Sequence, residues 1–461
     1  MRSHNVAIID IGKTNVKLVV VCLSDLSELA VITRPNTVLQ GPPYPHFDVE
    51  GHWEFILKGL SHLYKEHGFE AITVTSHGAS GALLAKDGSL AAPILDYEFT
   101  GLDETASDYD DIRPDFSETG SPRLAMGLNL GAQLHWQFTK DPSLKKRVHR
   151  IVTYPQFWTH KLTGVFASDR TSLGCHTDLW NPFEEKFSSL PETLGIKNKI
   201  AKPRRPGGVL GPLLPQLASR TGLPEDTPVY CGIHDSNASL LPHLFTRKPP
   251  FSVVSTGTWV VAMSVGGKPV TLDPSRDTLV NVNAFDEAVP SARFMGGREH
   301  DLALGNASVQ QPNDTQISRV LNRRRMLLPA LVPNTGPFAG MTSRWCCGEP
   351  AIGSVERTVT VSFYLALVTA QSLSLIGHDG PVIVEGPFAK NKPYLWMLRA
   401  ASSSTVIAME STTGVSQGAA LLVAGHGLPI LQQATFALPD SYTADLLINY
   451  AKRWNIKVQE N

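Results

Sequence analysis

The chain lacks the marks of several protein classes. Its five cysteines include no C-x-x-C pair and no zinc-ligand spacing, so neither a disulfide framework nor a zinc site is indicated, and a reducing compartment is expected. A formal net charge of −1 gives no electrostatic reason to bind nucleic acid or a membrane surface. No apolar run reaches about 18 residues, and no leader precedes the first strand, so we predict no membrane-spanning helix and no signal peptide. We therefore expect a cytoplasmic protein that binds neither nucleic acid nor membrane.

The length and composition are those of a two-domain globular protein. At 461 residues the chain is too long for one hydrophobic core, and 42% hydrophobic with 18% charged residues is an ordinary composition. Strand patterns alternate with helix patterns in both halves, which predicts an α/β fold. A proline-containing stretch at 242–250 reads as a linker, so we place the domains at residues 1–245 and 246–461. The region 300–355 has too little periodicity to predict its elements.

Two segments about half a chain apart share one pattern. Residues 6–18 and 251–261 each contain an apolar strand, a tight turn with one glycine and small hydroxyl residues, and a second apolar strand. Asp10 and Ser255 take equivalent places in the two. Backbone N–H groups and hydroxyls in two such turns would bind a polyphosphate from two sides. Taken singly, each is equally well explained as an ordinary hairpin turn, and the P-loop pattern G-x-x-x-x-G-K-[ST] is absent.

Asp10 ends a buried strand beside a glycine turn, where a carboxylate contributes little to stability. The position suits a hydrated Mg²⁺, which takes carboxylate, water and phosphate oxygens as ligands, although aspartate is also a common turn former. The candidate phosphate-binding residues belong to the two turns or flank the first: Gly12, Lys13, Thr14, Asn15, Lys17, Thr256, Gly257 and Thr258.

A third feature is the His234-Asp235 pair, which follows a short apolar strand at 229–232 and precedes a predicted helix. An aspartate at a strand end is well placed to act as a general base toward a substrate hydroxyl, and phosphoryl transfer needs such a base together with Mg²⁺. His234 would then hydrogen-bond the substrate. From the residues alone, the alternative is that Asp235 caps the helix and His234 is a core histidine.

The fourth feature is the strand at 382–385, which ends at Gly386 and runs toward a helix. Ligands of α/β sheets bind at the carboxyl ends of strands, so a flat nucleotide base could stack against this loop. A plain connection between strand and helix explains the pattern equally well.

These four segments, in this order and spacing, resemble the FGGY family of carbohydrate kinases, a branch of the sugar kinase, Hsp70 and actin superfamily. The resemblance extends from residue 6 to about residue 424. It implies two RNase H-like domains around a central cleft, ATP and Mg²⁺ as cofactors, a small-molecule sugar as substrate and a homodimer as the assembly. By this resemblance Asp235 is the general base, Asp10 and Asp235 are the metal ligands, Gly386 lies by the adenosine, and the sugar is bound by His77, Gly78, His234 and Ser236.

Within the family, the His-Asp pair and the Thr-Gly-Thr-Trp turn are most similar to L-rhamnulokinases and L-fuculokinases. This implies phosphorylation of a 6-deoxy-ketohexose, L-fuculose or L-rhamnulose, at its 1-hydroxyl. Three segments depart from the family pattern: His77-Gly78-Ala79-Ser80 lacks the usual acid, Tyr97-Glu98-Phe99 replaces Tyr-Arg-Asp, and Gly386-Pro387-Phe388 replaces a run of glycines. A kinase for a pentulose, a tetritol or glycerol therefore stays open, as does a non-catalytic ATP-binding sensor, against which an intact Asp235 speaks.

Overall fold

The computed structural model describes residues 5–305, 311–409, 414–425, 433–434 and 436–460, and these form two compact units. The first unit comprises the described parts of Met1–Thr246, Val280–Ala288 and Thr413–Ile430. The second comprises those of Arg247–Leu279, Val289–Thr412 and Leu431–Asn461. The domain division inferred from the sequence is a single cut after residue 245, whereas the first unit also contains two segments from later in the chain.

Strands and helices alternate through both units. In chain order the strands are β1 (Asn5–Ile11), β2 (Asn15–Cys22), β3 (Glu28–Pro35), β4 (Val38–Leu39), β5 (His46–Phe47), β6 (Ala71–Ser76), β7 (Gly81–Leu84), β8 (Arg150–Thr153), β9 (Ser168–Asp169), β10 (Trp180–Asn181), β11 (Lys186–Phe187), β12 (Pro203–Arg204), β13 (Val209–Pro212), β14 (Pro228–Tyr230), β15 (Ile233–His234), β16 (Phe251–Thr256), β17 (Val260–Val265), β18 (Thr278–Val282), β19 (Ala288–Phe294), β20 (Met326–Leu328), β21 (Arg344–Cys346), β22 (Val382–Glu385), β23 (Val406–Met409) and β24 (Gln433–Ala434).

The α-helices are α1 (Val49–His67), α2 (Ala106–Asp110), α3 (Phe116–Thr119), α4 (Leu130–Lys140), α5 (Leu144–Arg147), α6 (Tyr154–Thr163), α7 (Arg170–Leu173), α8 (Leu190–Thr193), α9 (Pro215–Thr221), α10 (Asp235–Thr246), α11 (Gly296–Leu304), α12 (Asp314–Arg323), α13 (Val355–Leu375), α14 (Lys392–Ser402), α15 (Gly414–Ala424) and α16 (Ser441–Gln459). Short 3₁₀ turns lie at Thr100–Thr105, Pro274–Arg276 and Pro387–Lys390.

The first unit is built on a sheet with the strand order β13-β14-β6-β1-β2-β3, in which β15 also pairs with β6. β1 is antiparallel to β2 and parallel to β6. Every residue of β1 is buried, as its unbroken apolar run predicts for a central strand. One apolar cluster includes residues of α1 and α6, and another includes residues of α10 and α15 together with β1.

The sheet of the second unit repeats this arrangement. Its strands run β19-β17-β16-β22-β23-β24, with β16 antiparallel to β17 and parallel to β22. The order β3-β2-β1-β6-β14 of the first unit therefore corresponds to β19-β17-β16-β22-β23 of the second. The two turn-bearing hairpins occupy the same place in related sheets, which confirms the structural repeat that the sequence pattern predicts.

Helix α13 belongs to the core of the second unit, and 15 of its 21 residues are buried. Among the described helices it alone has the length and apolar composition needed to cross a membrane. Of its most apolar stretch of 18 residues, 78% is buried inside the protein. Its apolar character follows from this core position.

The described part of the region 300–355, whose elements could not be predicted from periodicity, contains short elements. Helix α12 buries Ile317, Val320 and Leu321, an i, i+3, i+4 stripe, and Asn313 and Gln316 form a capping box at its start. Both signals are present in the sequence, but they extend over only about three turns. β20 and β21 consist of three residues each, too few for any period to show.

Candidate active site

Strand register brings three of the sequence motifs to one edge of the first unit's sheet. Ile11 of β1 pairs with Ser76 of β6, and Ser76 pairs with His234 of β15, all in parallel. The residues at or just beyond these strand ends, Asp10, His77, Gly78, His234 and Asp235, are called the strand-end site below. Because the carboxyl ends of parallel strands are where α/β sheets bind ligands, this edge is the first place to look for chemistry.

Asp10 is nearly buried, with 8% of its surface exposed. Burial raises its pKa from 3.8 to about 7; Lys17, directly opposite in β2, lowers the pKa, and the charge of Asp235 raises it further. A cation bound between two partly buried carboxylates would relieve their mutual repulsion and favour their charged forms. The described residues contain no group of three or more His, Cys, Asp or Glu side chains suited to a metal. Mg²⁺ needs only one or two carboxylates beside water and phosphate oxygens, so this donor set fits it.

Asp235 is the first residue of α10, and its side chain is 30% exposed. Its Oδ1 accepts a hydrogen bond from the backbone N–H of Ser236 at 2.6 Å and lies 3.3 Å from Nε2 of His234. His234 is buried, and burial lowers its pKa, so its imidazole is neutral and can donate one N–H. The arrangement fixes one oxygen of Asp235, the group predicted as the general base. Asp235 can therefore both begin helix α10 and act as a general base.

Gly78 sits directly against His234. A Cβ at this position would lie 2.8 Å from His234 Nε2 and 3.2 Å from Cys175 Sγ. A side chain here would displace the imidazole beside Asp235, so the glycine is needed for the packing of the site, whatever it contributes to a ligand.

His77 is buried among aromatic rings. Its ring centroid lies 5.2 Å from that of Tyr97 and 5.0 Å from that of Tyr154, and Nδ1 lies 2.8 Å from the carbonyl oxygen of Gly78. Burial lowers its pKa to about 4, so the ring is neutral. His77 Nε2 and Ser80 Oγ are buried without a hydrogen-bond partner among the described residues. Buried polar atoms of this kind normally have partners, so they are candidates for hydroxyl groups of a ligand.

The first turn is closed by a hydrogen bond from Gly12 N–H to the Asn15 carbonyl at 2.9 Å. Asn36, which belongs to none of the sequence motifs, anchors this turn by donating to the Gly12 carbonyl at 2.7 Å. The Lys13 amine pairs with the carboxylates of Asp96 and Glu98, so its charge is compensated within the protein. Thr14 and Lys17, at and beside the same turn, are exposed. Phosphate binding by this turn and its lysines stays a prediction.

Asp169 and Thr171 support the site from β9 and α7 and were missed from the sequence. Asp169 accepts hydrogen bonds from the backbone N–H groups of Thr171 and Ser172, capping α7. The Thr171 hydroxyl donates to Asp169 and accepts from the backbone N–H of His234 at 3.0 Å. An Asp followed by Thr and Ser at these spacings is a recognisable helix-cap signal, but the sequence does not show that it holds the strand end 63 residues later.

The second unit contains a cavity of about 650 Å³ beside its own turn. The exposed residues Gly257 and Thr258 line it together with Pro387 and Asn391. Ser255 of β16 pairs in parallel with Glu385 of β22, so the turn and the loop after β22 follow neighbouring strand ends. A cavity of this size is typical for a small ligand such as a nucleotide.

Thr256 and Gly386 build this cavity rather than face its contents. The buried Thr256 hydroxyl donates to the Glu385 carbonyl and accepts from Phe388 N–H at 3.1 Å, which ties the loop to the turn. The Thr256 hydroxyl is therefore engaged within the protein, and phosphate binding by this residue stays a prediction. Gly386 has φ of +82°, and a Cβ there would lie 2.0 Å from the Thr256 carbonyl oxygen. Phe388 packs on Tyr394, with 5.1 Å between ring centroids.

The start of α11 forms another wall of the cavity and was not predicted. Gly297 and the exposed Arg298 line it, and a Cβ at Gly297 would lie 2.3 Å from the Gly257 carbonyl oxygen. The Gly-Gly-Arg sequence at 296–298 was the available signal, because paired glycines at a helix start often mark close backbone approach.

Comparisons with known proteins agree with this geometry. Residues 6–242 match the family profile "FGGY family of carbohydrate kinases, N-terminal domain", and residues 248–432 match "Carbohydrate kinase FGGY, C-terminal domain". The chain is 26% identical over 285 residues to an L-fuculokinase of Salmonella typhi, covering 58% of each chain. It is 25% identical over 275 residues to an L-fuculokinase of Escherichia coli K12, covering 57% of each. The chain thus spans little more than half the length of these relatives.

Solved structures extend the likeness to the whole chain. A carbohydrate kinase from Novosphingobium aromaticivorans has a TM-score of 0.91 at 35% identity, covering 100% of this chain and 99% of that one. A xylulose kinase from Lactobacillus acidophilus has a TM-score of 0.81 at 15% identity, covering 99% and 98%, and shares the fold. The profile matches, the two related sheets and the high overall similarity lead to one conclusion: the chain belongs to the FGGY family of carbohydrate kinases.

Proposed function

We propose that the protein is an ATP-dependent kinase that phosphorylates a 6-deoxy-ketohexose, L-fuculose or L-rhamnulose, at the 1-hydroxyl. The observation that carries the proposal is that β1, β6 and β15 end in register at one edge of the sheet. Asp10, His77 and Asp235 lie together at that edge. A base, a magnesium carboxylate and unpartnered polar atoms are the parts that transfer to a sugar hydroxyl requires.

In this proposal Asp235 accepts the proton of the sugar 1-hydroxyl while that oxygen forms a bond to the γ-phosphorus of ATP. The bond from the γ-phosphorus to the bridging oxygen breaks, ADP leaves, and Asp235 later passes its proton to water. Asp10 and Asp235 would hold Mg²⁺, which when bound neutralises phosphate charge. The backbone of Gly12–Asn15 in the first unit, and of Gly257 and Thr258 in the second, would donate to phosphate oxygens. His234 keeps the Asp235 carboxylate oriented, and Ser236 donates to it through its backbone.

The choice of a 6-deoxy sugar rests on the His-Asp pair at 234–235 and the Thr-Gly-Thr-Trp turn at 256–259, which are most similar to L-fuculokinases and L-rhamnulokinases. The two L-fuculokinase relatives favour L-fuculose as the first substrate to try.

A panel of acceptors tests the proposal. ADP release from the full chain with MgATP should be fastest with L-fuculose or L-rhamnulose and slower with D-xylulose, a tetritol and glycerol. Faster release with a pentulose or a polyol would replace the sugar and keep the kinase. If no acceptor stimulates ADP release, the alternative of a non-catalytic ATP-binding sensor gains, provided that the protein still binds ATP.

Location and assembly are part of the same proposal. The five cysteines, all among the described residues, form no disulfide, and two of them are not buried, which favours a reducing cytoplasm. The family likeness favours a homodimer, and sedimentation at micromolar concentration measures it.

A further inference from the structure

A second cavity of the first unit, of about 630 Å³, has an unusually cationic lining. The only carboxylate among the lining residues is that of Glu192. Six lining residues carry a positive charge: Lys86, Lys146, Arg147, Arg150, Lys197 and Lys199. We call it the basic cavity. With a net charge of −1 for the whole chain, this concentration does not reflect a generally basic protein.

The basic cavity is separate from the strand-end site. β7 and β8 form a two-stranded ribbon in which Gly81 pairs with Thr153 at one end and Leu84 with Arg150 at the other. The Gly81 end directly follows residues 77–80, which include His77 and Gly78 of the strand-end site. Lys86 and Arg150 lie at the opposite end of the ribbon. The basic cavity and the strand-end site therefore lie at opposite ends of the same two-stranded ribbon.

Most of the positive charge in the basic cavity is not neutralised by the protein. Arg147 pairs with Asp141 at 2.8 Å, and Lys197 pairs with Glu192 at 3.0 Å. The other four cations, Lys86, Lys146, Arg150 and Lys199, have no ion pair among the described residues. Lys199 donates to the Val148 carbonyl, and Arg150 donates to the His149 carbonyl, contacts that fix the side chains but leave their charges in place.

Like charges gathered in a concave surface repel one another, and an anion relieves that repulsion. Arginine offers paired donors to a phosphate, and lysine acts as a point charge toward it. Four uncompensated charges match a ligand with several negative charges better than they match a monoanion. The volume is that of a small-molecule site. We propose that the basic cavity binds a small anion with two or more phosphate groups, at a site separate from the nucleotide cavity and from the sugar.

Calorimetry with inorganic triphosphate tests the proposal. The full chain is first saturated with ADP to fill the nucleotide cavity, and metal is omitted. The wild-type protein should still bind triphosphate, and the double variant Lys86→Gln/Lys146→Gln should bind at least about tenfold more weakly. Both side chains are exposed, so their replacement leaves the core untouched. The matched control is Lys58→Gln/Lys65→Gln, which removes two exposed charges of α1 away from the cavity and should bind like the wild type.

The outcomes separate cleanly. Absence of triphosphate binding, equal binding by the two double variants, or the same loss in both would overturn the proposal. A parallel titration with a hexose bisphosphate identifies the source: tighter binding than triphosphate favours a sugar metabolite, and weaker binding favours inorganic polyphosphate. Neither result depends on whether the protein phosphorylates a 6-deoxy-ketohexose.

Discussion

Replacing Asp10 with asparagine should make the ligand-free protein more stable while removing its activity. Asp10 is 8% exposed, and burial is the main reason that its pKa rises from 3.8 to about 7. Its folded-state pKa is thus above its unfolded value, so the folded chain holds the proton more tightly. The stability due to protonated Asp10 is complete below pH 3.8 and is lost as the pH rises to about 7.

The size of the effect follows from the shift. One pKa unit corresponds to about 1.4 kcal/mol, so burying Asp10 costs about 4 kcal/mol at pH 8 and about 2 kcal/mol at pH 5. Asparagine has nearly the same shape and never carries the charge. Lys17 loses its neighbour in the variant, but it is exposed and its pairing is worth little. Asp10→Asn should therefore raise the free energy of unfolding by these amounts, with the larger gain at the higher pH.

Urea denaturation at pH 5 and pH 8, without metal or nucleotide, measures both gains. The transition of the first unit must be followed separately if the two units unfold apart. Asp141→Asn is the control, because Arg147 and Ser143 lower the pKa of this exposed carboxyl and its loss should not stabilise the protein at either pH. A gain that is absent at pH 8, or larger at pH 5 than at pH 8, would refute the reasoning about burial.

Three further changes test other parts of the molecule. Asp235→Asn should retain ADP binding by calorimetry and lose about 10³-fold in turnover, because only the base is removed; near-normal turnover contradicts its role. Gly257→Val should weaken ATP binding at least about tenfold, because its side chain would block the approach of phosphate to the backbone. Its Tm should stay unchanged, since a Cβ there meets only the Trp259 carbonyl oxygen at 3.7 Å. Gly257→Ala should have a smaller effect, and unchanged ATP affinity in both variants argues against a contact between this backbone and phosphate. Gly418→Ala should lower the Tm measurably, because a Cβ would lie 1.7 Å from the Ala238 carbonyl oxygen; an unchanged Tm would show that the helices separate easily.

The sequence predicted the fold class and the residues whose roles depend on their place at a strand end. Asp10 and Asp235 could be selected because hydrophobic runs reveal where a buried strand stops. Lys13 and Thr256 are predicted to bind phosphate, and the structure also gives each of them a protein partner that the sequence did not indicate, 83 and 129 residues away along the chain. Pairings over such separations depend on how strands are ordered in the sheet, which local patterns do not specify.

The residues that hold the strand ends in place were not predicted, for the same reason. Asn36, which holds the first turn, and Thr171, which holds the end of β15, are single polar residues in segments without a motif. Each acts through one hydrogen bond to the backbone of a distant strand. Such residues become visible only when the neighbours of the strand end are known.

The contact between Gly418 and Ala238 bears on how the protein can be made. Helix α15 packs in the same apolar cluster as β1 and α10, the helix that begins with Asp235. It follows all the other helices of the first unit in the chain and is therefore synthesised after them. During translation the first unit therefore cannot complete its core until the segment around residue 424 has left the ribosome. A fragment that stops at the linker near residue 246 would expose the apolar face of the helix that carries the base. Division of this gene into separately expressed halves should yield an unstable N-terminal piece unless a peptide corresponding to α15 is supplied.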